Sequence, residues 1–101
     1  MAASQVRVPE TEIAEFCRRN GVRRFSFFGS ILTERFSDTS DIDVLVEFKP
    51  GRPVGYLRMA AMERELSTLF GRKIDLRTPD ELSRYFRDEV MKAAQVQYVG
   101  E

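Results

Sequence analysis

The segment Asp41 to Phe48, DIDVLVEF, constrains the fold of this chain more than any other. Its β-branched and apolar residues favour a buried strand. Side chains alternate between the two faces of a strand, so Asp41 and Asp43 point one way while Ile42 and Val44 point into the core. Carboxylates beside a core are costly unless a positive group lies next to them. The segment therefore predicts a strand that presents two carboxylates to a cation.

A third carboxylate lies on a second predicted strand. The segment Lys73 to Arg77, KIDLR, places Asp75 between two apolar residues, so Asp75 faces away from both. If this strand pairs beside the first, three aspartates share one surface and repel one another, which a divalent cation would relieve. Oxygen ligands alone favour a hard cation, so we predict one or two Mg²⁺ ions, with Mn²⁺ as the alternative. The predicted ligands are Asp41, Asp43 and Asp75.

Gly29 and Ser30 lie where a predicted strand, Val22 to Phe28, ends and a short predicted helix through Phe36 begins. Ser30 is the expected N-cap of that helix. Glycine lets the backbone approach a ligand closely, and a helix N-terminus favours phosphate. A Gly-Ser pair alone is most often a turn, and an Asp-x-Asp pair alone is most often a solvated strand end. Their order along the chain, followed by Asp75, is what favours phosphoryl or nucleotidyl transfer.

The remaining segments predict one α/β (α+β) domain over residues 1–101, with a small mixed sheet flanked by helices. A first helix is expected at Pro9–Asn20 and another at Tyr56–Phe70, with a loop at 49–55 between strand and helix. The sequence TPDE, from Thr78, is a capping box that predicts the start of a last helix. The predicted element order is α-β-α-β-α-β-α. The apolar face of the last helix would comprise Leu82, Tyr85, Phe86, Val90 and Ala93.

Charge and residue usage argue against several function classes. Sixteen basic residues balance 16 acidic residues, so strong binding of nucleic acid through its phosphates is not expected. The chain has no histidine, which excludes Ser-His-Asp triads and the usual zinc sites. Cys17, the single cysteine, is predicted to be a buried structural thiol and fits a reducing cytoplasm. No apolar run is long enough to cross a membrane, so we expect a cytoplasmic protein.

The stretch Phe27 to Phe48, FFGSILTERFSDTSDIDVLVEF, resembles the signature of the minimal nucleotidyltransferases, a branch of the DNA polymerase beta superfamily. The resemblance covers most of the chain, from about Phe25 to Tyr98, and includes LFGRKIDLRTP. It implies a polymerase-beta-like palm fold that uses ATP or another nucleoside triphosphate with Mg²⁺. The family's glycine and serine fall on Gly29 and Ser30, its paired metal-binding carboxylates on Asp41 and Asp43, and its third carboxylate on Asp75. Ser40, directly before the aspartate pair, joins Gly29 and Ser30 as a predicted nucleotide-binding residue.

The resemblance also implies a partner. Members of this family often act with a helical HEPN protein as a toxin–antitoxin module, and better-known members transfer AMP to a tyrosine of the HEPN toxin. One position departs from the family pattern, because Thr33 stands where an arginine is usual. Arg35 is displaced by two residues, about 200° around the axis of a helix. A chain of this length leaves no room for an acceptor-binding domain, which favours a protein substrate that docks.

Two functions remain open. In the first, the chain is an enzyme that transfers AMP to a hydroxyl of a HEPN toxin, with Asp41 and Asp43 holding both metals. Asp75 would complete the second metal site and assist deprotonation of the acceptor. In the second, the chain is a non-catalytic antitoxin that acts by steric contact. The replacement of the usual arginine by Thr33 favours this function, and the three carboxylates oppose it. A homo-oligomer is compatible with both functions.

Overall fold

Four strands form a mixed sheet in the computed structural model, which describes residues 7–51 and 53–100. The strands are β1 (Val22–Phe28), β2 (Ile42–Phe48), β3 (Ile74–Arg77) and β4 (Gln95–Val99), and their spatial order is β3-β2-β1-β4. β1 is antiparallel to both β2 and β4, whereas β2 and β3 are parallel. Parallel neighbours need a crossover connection, which the helix between β2 and β3 provides.

Helices α1 (Glu10–Asn20), α2 (Tyr56–Phe70) and α3 (Arg87–Ala93) accompany the sheet. The core contains an edge-to-face series of phenylalanine rings, Phe16 on Phe25 at 6.4 Å, Phe25 on Phe27 at 6.1 Å, and Phe27 on Phe70 at 5.8 Å between centroids. This series joins α1, β1 and α2, and such contacts add to the stabilisation from buried apolar area. No helix within residues 7–51 and 53–100 is long and apolar enough to cross a membrane.

Cys17 is completely buried on α1, as the sequence predicts. Burial raises the pKa of its thiol to about 12, because the thiolate would lose its hydration. At neutral pH this side chain is therefore a protonated, apolar packing residue.

The fold class predicted from the sequence is confirmed, and β1 and α2 have the predicted bounds. The short helix predicted after Gly29 is wrong in length, because the structure has a single 3-10 turn over Gly29–Leu32 whose N-cap is Phe28 rather than Ser30. Thr33 then adopts an extended conformation, with φ −126° and ψ 168°. The angle assigned to Arg35 around a helix axis therefore does not apply, since the chain is not helical there.

The predicted last helix is also wrong. The capping box at Thr78 is present, but it begins a 3-10 helix of three residues, Pro79–Glu81. Leu82 is extended, with φ −79° and ψ 145°, so helical structure resumes only at Arg87. The chain then forms β4, a strand that the sequence analysis did not predict. Three members of the predicted apolar face are exposed as a result: Tyr85, Phe86 and Ala93.

Candidate active site

Three carboxylates lie at one end of the sheet, where β2 and β3 begin. The parallel register places Asp43 directly beside Asp75, and Asp41 immediately precedes β2. Ile42 and Val44 are fully buried on the opposite face, so the alternation of side chains turns the aspartates away from the core. Asp41 is exposed, whereas Asp43 and Asp75 are half-buried. The structure thus brings the three predicted metal ligands to one end of the sheet.

The turn at Gly29 lies against Asp43. Phe28 pairs with Asp43 between β1 and β2, so the turn that follows β1 is carried next to the carboxylate. Gly29 has φ +75°, a conformation that favours glycine, and a Cβ there would overlap the Asp43 carboxylate, 3.1 Å from its Cγ. The Ser30 backbone N–H acts on the same carboxylate and lowers the pKa of its carboxyl. The predicted phosphate-binding turn and the predicted metal-binding pair are therefore in direct contact.

The electrostatics of Asp43 reflect this crowding. Burial raises the pKa of its carboxyl above the ordinary value, and the negative charges of Asp75 and then Asp41 raise the pKa further. The Ser30 N–H and the Arg77 guanidinium oppose this shift. A carboxylate that is disfavoured by like charges is one that a bound cation would stabilise.

Two basic side chains accompany the aspartates. Lys73 Nζ lies 3.8 Å from Asp41 Oδ2, and Arg77 Nε lies 3.1 Å from Asp75 Oδ1. Arg77 also lies 3.7 Å from a carboxylate oxygen of Glu81. Within the part of the chain that the structure describes, no three carboxylates converge closely enough to form a preassembled metal cluster. The donor set nevertheless fits a hard divalent cation, because it offers only carboxylate oxygens that repel one another.

Ser40 lies in the polar turn before Asp41, and its hydroxyl accepts a hydrogen bond from the backbone N–H of Ser37 at 3.0 Å. Arg72 holds this turn from outside: one of its terminal nitrogens donates to the carbonyl oxygens of Ser37 at 2.6 Å and Ser40 at 2.7 Å. Its guanidinium also lies 4.5 Å from the ring centroid of Phe36. Arg72 therefore fixes the segment that leads into Asp41, while nucleotide binding by Ser40 stays a prediction.

Sequence reasoning did not single out the basic residues of this site. The signal available was RKIDLR, in which basic residues flank the third aspartate on both sides. Strand alternation would have placed Arg77 on the face of Asp75, two residues away. The residues missed are Arg72, Lys73 and Arg77.

A groove of about 870 Å³ opens beside Asp75, between the start of α2 and the residues after β3. Tyr56 lines it and is 93% exposed. Glu63 also lines it, and its carboxylate accepts a hydrogen bond from the Leu76 backbone N–H at 2.9 Å, which ties α2 to β3. The carboxylate of Asp75 is therefore approachable from a surface with both apolar and acidic side chains.

Comparison with known proteins shows which family the chain belongs to. The nucleotidyltransferase domain family matches residues 10–96. The chain is a nucleotidyltransferase-family protein. A relative from Methanocaldococcus jannaschii, named "Putative protein adenylyltransferase", is 33% identical to this nucleotidyltransferase over 76 residues, which are 75% of this chain and 80% of the relative. The family resemblance seen in the sequence and the assignment to nucleotidyltransferase enzymes are thereby confirmed.

Solved structures share the fold of this nucleotidyltransferase. One, described as "Structure of putative minimal nucleotidyltransferase", has a TM-score of 0.73 and 29% identity, and the match covers 93% of this chain and 94% of that one. Another is a toxin–antitoxin crystal structure with AMP-PNP, at a TM-score of 0.73 and 18% identity, covering 93% of this chain and 76% of that one. At 18% identity the second likeness shows the fold alone.

Proposed function

We propose that this nucleotidyltransferase transfers AMP from ATP to a hydroxyl group of a partner protein, with Mg²⁺ as cofactor and a HEPN-type toxin as the partner. The observation that carries the proposal is the position of Asp43, which lies between Asp75 on the neighbouring strand and the turn at Gly29 and Ser30. Such an arrangement would join a carboxylate site for the cation to a turn that binds phosphate. The relative named as a protein adenylyltransferase and the toxin–antitoxin complex of the same fold support the choice of nucleotide and partner.

Different residues of the chain have different roles in the proposed reaction. The backbone at Gly29 and the Ser30 side chain bind the β- and γ-phosphates, and Ser40 adds a hydroxyl to the nucleotide site. Asp41, Asp43 and Asp75 would hold Mg²⁺, which when bound supplies positive charge to the triphosphate. The acceptor oxygen forms a bond to the α-phosphorus while the bond from that phosphorus to the α,β-bridging oxygen breaks, and pyrophosphate leaves.

The proton of the acceptor hydroxyl passes to a carboxylate, for which Asp75 is the candidate, because the chain has no histidine. The groove beside Asp75 supports this role, since an acceptor segment lying there would bring its hydroxyl to the exposed side of the carboxylate.

Intact-mass measurement tests the proposal. The chain is co-expressed with the protein encoded beside it, and the purified pair is incubated with ATP and Mg²⁺. We expect the partner to gain one or more AMP units with the wild-type chain and none with Asp43→Asn. A stable complex in which the wild-type chain adds no AMP would contradict the proposal.

A non-catalytic antitoxin is the second candidate function. The observation that favours it is Thr33, whose hydroxyl donates to the Ser30 carbonyl oxygen at 2.9 Å and so closes the turn without a cationic side chain at this position. In that case Asp43→Asn would neutralise the partner as well as the wild-type chain does, with no change in mass.

A further inference from the structure

Asp75 is engaged more strongly by its basic neighbour than Asp41 is. Arg77 approaches both carboxylate oxygens, with Nε 3.1 Å from Oδ1 and a terminal nitrogen 3.5 Å from Oδ2. Asp41 has a single ammonium at 3.8 Å. A guanidinium that addresses both oxygens of a carboxylate forms the more directional of these two kinds of pair.

We infer that the Arg77 guanidinium pairs with Asp75 when no metal is bound. A divalent ion must displace this guanidinium in order to bind the carboxylate. The inference rests on the proposed function, because it takes Asp75 to be a metal ligand. Arginine stays charged at every working pH, so competition by another cation, and not loss of a proton, is the means of releasing Asp75.

Arg77 has a second acidic partner close by, Glu81. Glu81 lies 3.7 Å from the Arg77 guanidinium, so the arginine keeps an acidic partner when it leaves Asp75. Glu81 is itself held in place, because its other carboxylate oxygen accepts a hydrogen bond from the Thr78 backbone N–H at 3.0 Å. Arg77 is exposed at the rim of the groove, so its side chain can exchange between the two acids without opening the core.

The charge of Arg77 also reaches beyond Asp75. Asp43 and Asp75 are direct neighbours across β2 and β3, and Arg77 offsets part of their mutual repulsion. A divalent ion bound to Asp75 would do this more fully, so the two cations compete for this carboxylate. Arg77 therefore lowers the affinity of the carboxylates for metal, and exposed ion pairs of this kind set the effect at about two- to fivefold.

Titration with Mn²⁺ in the absence of nucleotide tests the inference. The electron paramagnetic resonance signal of free Mn²⁺ measures how much of the ion is bound. We expect Arg77→Gln to bind Mn²⁺ about two- to fivefold more tightly than the wild-type chain. Arg77→Lys restores the positive charge and should return the affinity toward the wild-type value. Arg18→Gln, an equal charge change on the exposed side of α1, is the matched control and should leave the affinity unchanged.

The background variant Asp75→Asn separates a local effect from a general one. Arg77→Gln should have a smaller effect there, because only its charge on Asp43 remains to be removed, and an increase of the same size in that background would overturn the inference. An unchanged or weaker affinity in Arg77→Gln, with Mn²⁺ binding still abolished by Asp43→Asn, would overturn the inference and leave the proposed function standing. Absence of Mn²⁺ binding in every variant, both without nucleotide and with ATP present, would overturn both.

Discussion

At the scale of single residues, Gly29 determines whether the Asp43 carboxylate can occupy its position. Gly29→Ala introduces a methyl group into that carboxylate and places a side chain at φ +75°. We expect a loss of about 1–2 kcal/mol in stability from the backbone conformation and about a 100-fold loss of nucleotidyl transfer from the displaced carboxylate. Urea denaturation and intact-mass kinetics measure the two effects.

Gly71→Ala is the matched control for this prediction. Gly71 has φ +68°, but a Cβ there would meet no atom within 4 Å. It should therefore lose a similar amount of stability and keep its transfer rate. Equal transfer rates in the two variants would mean that Asp43 does not need the space beside Gly29.

The raised pKa of Asp43 gives a pH-dependent prediction for Asp43→Asn in the metal-free protein. The folded pKa lies above the ordinary value of 3.8, so the charged carboxylate destabilises the folded state at pH values above the folded pKa. At pH 7 we expect the variant to be as stable as the wild-type chain or more stable, by up to about 1 kcal/mol given partial exposure. This advantage should disappear as the pH falls through the folded pKa to 3.8.

Urea denaturation at several pH values without divalent ions measures this effect. Asp38→Asn, in the exposed turn before β2, is the control for loss of one negative charge. A large loss of stability in Asp43→Asn at pH 7 would show that the favourable interaction with the Ser30 backbone N–H outweighs the repulsion.

At the scale of secondary-structure elements, the sequence predicted correctly those bounds that local interactions determine. β1 and α2 have strong apolar patterns and glycine boundaries, and their bounds are as predicted. The capping box at Thr78 is also real, but a cap specifies where a helix begins and not how far it continues. β4, QVQYV, was missed because its stability comes from pairing with β1, a segment far away in the sequence.

The candidate site shows the same division. Strand alternation was enough to predict that Asp41, Asp43 and Asp75 share a face, because that depends only on parity and on pairing of β2 with β3. The partners of these residues depend on side-chain directions across several elements. Only the structure therefore shows that Arg72 donates to the turn before β2 and that Arg77 pairs with Asp75.

Arg72, between α2 and β3, donates hydrogen bonds to the turn before β2, and its removal should destabilise that turn. Arg72→Ala removes two hydrogen bonds to the turn at Ser37 and Ser40 and the contact with Phe36, so we expect a loss of about 1–3 kcal/mol. The Ser40 amide, which donates to the Ser37 carbonyl at 3.1 Å, should exchange with solvent faster. Urea denaturation and amide hydrogen exchange measure these changes.

Arg64→Ala, at an exposed position of α2, is the control and should change neither quantity appreciably. If both alanine variants behave alike, the contacts of Arg72 do not stabilise the turn.

At the scale of the whole molecule, metal and nucleotide should bind cooperatively. Mg²⁺ alone should bind weakly, because an open site offers it only a few carboxylates, and ATP brings further oxygen ligands. By linkage each ligand must strengthen the other by the same factor, for which we expect about 5- to 150-fold. Calorimetric titration of ATP with and without Mg²⁺ measures this factor. Equal ATP affinity in the two conditions would show that the aspartates do not organise a metal–triphosphate complex.

The position of β4 has a consequence for how the chain emerges from the ribosome. β2 is made soon after β1, since Phe27 pairs with Val44, but the other neighbour of β1 is made much later, since Phe27 also pairs with Gln95. Until β4 has been made, the nascent chain therefore carries an unpaired edge on β1, a strand with three phenylalanines, and such edges invite association with other chains. A ribosome that stalls before Gln95 leaves a product whose hazard is aggregation, even though every residue of the candidate site has already been made.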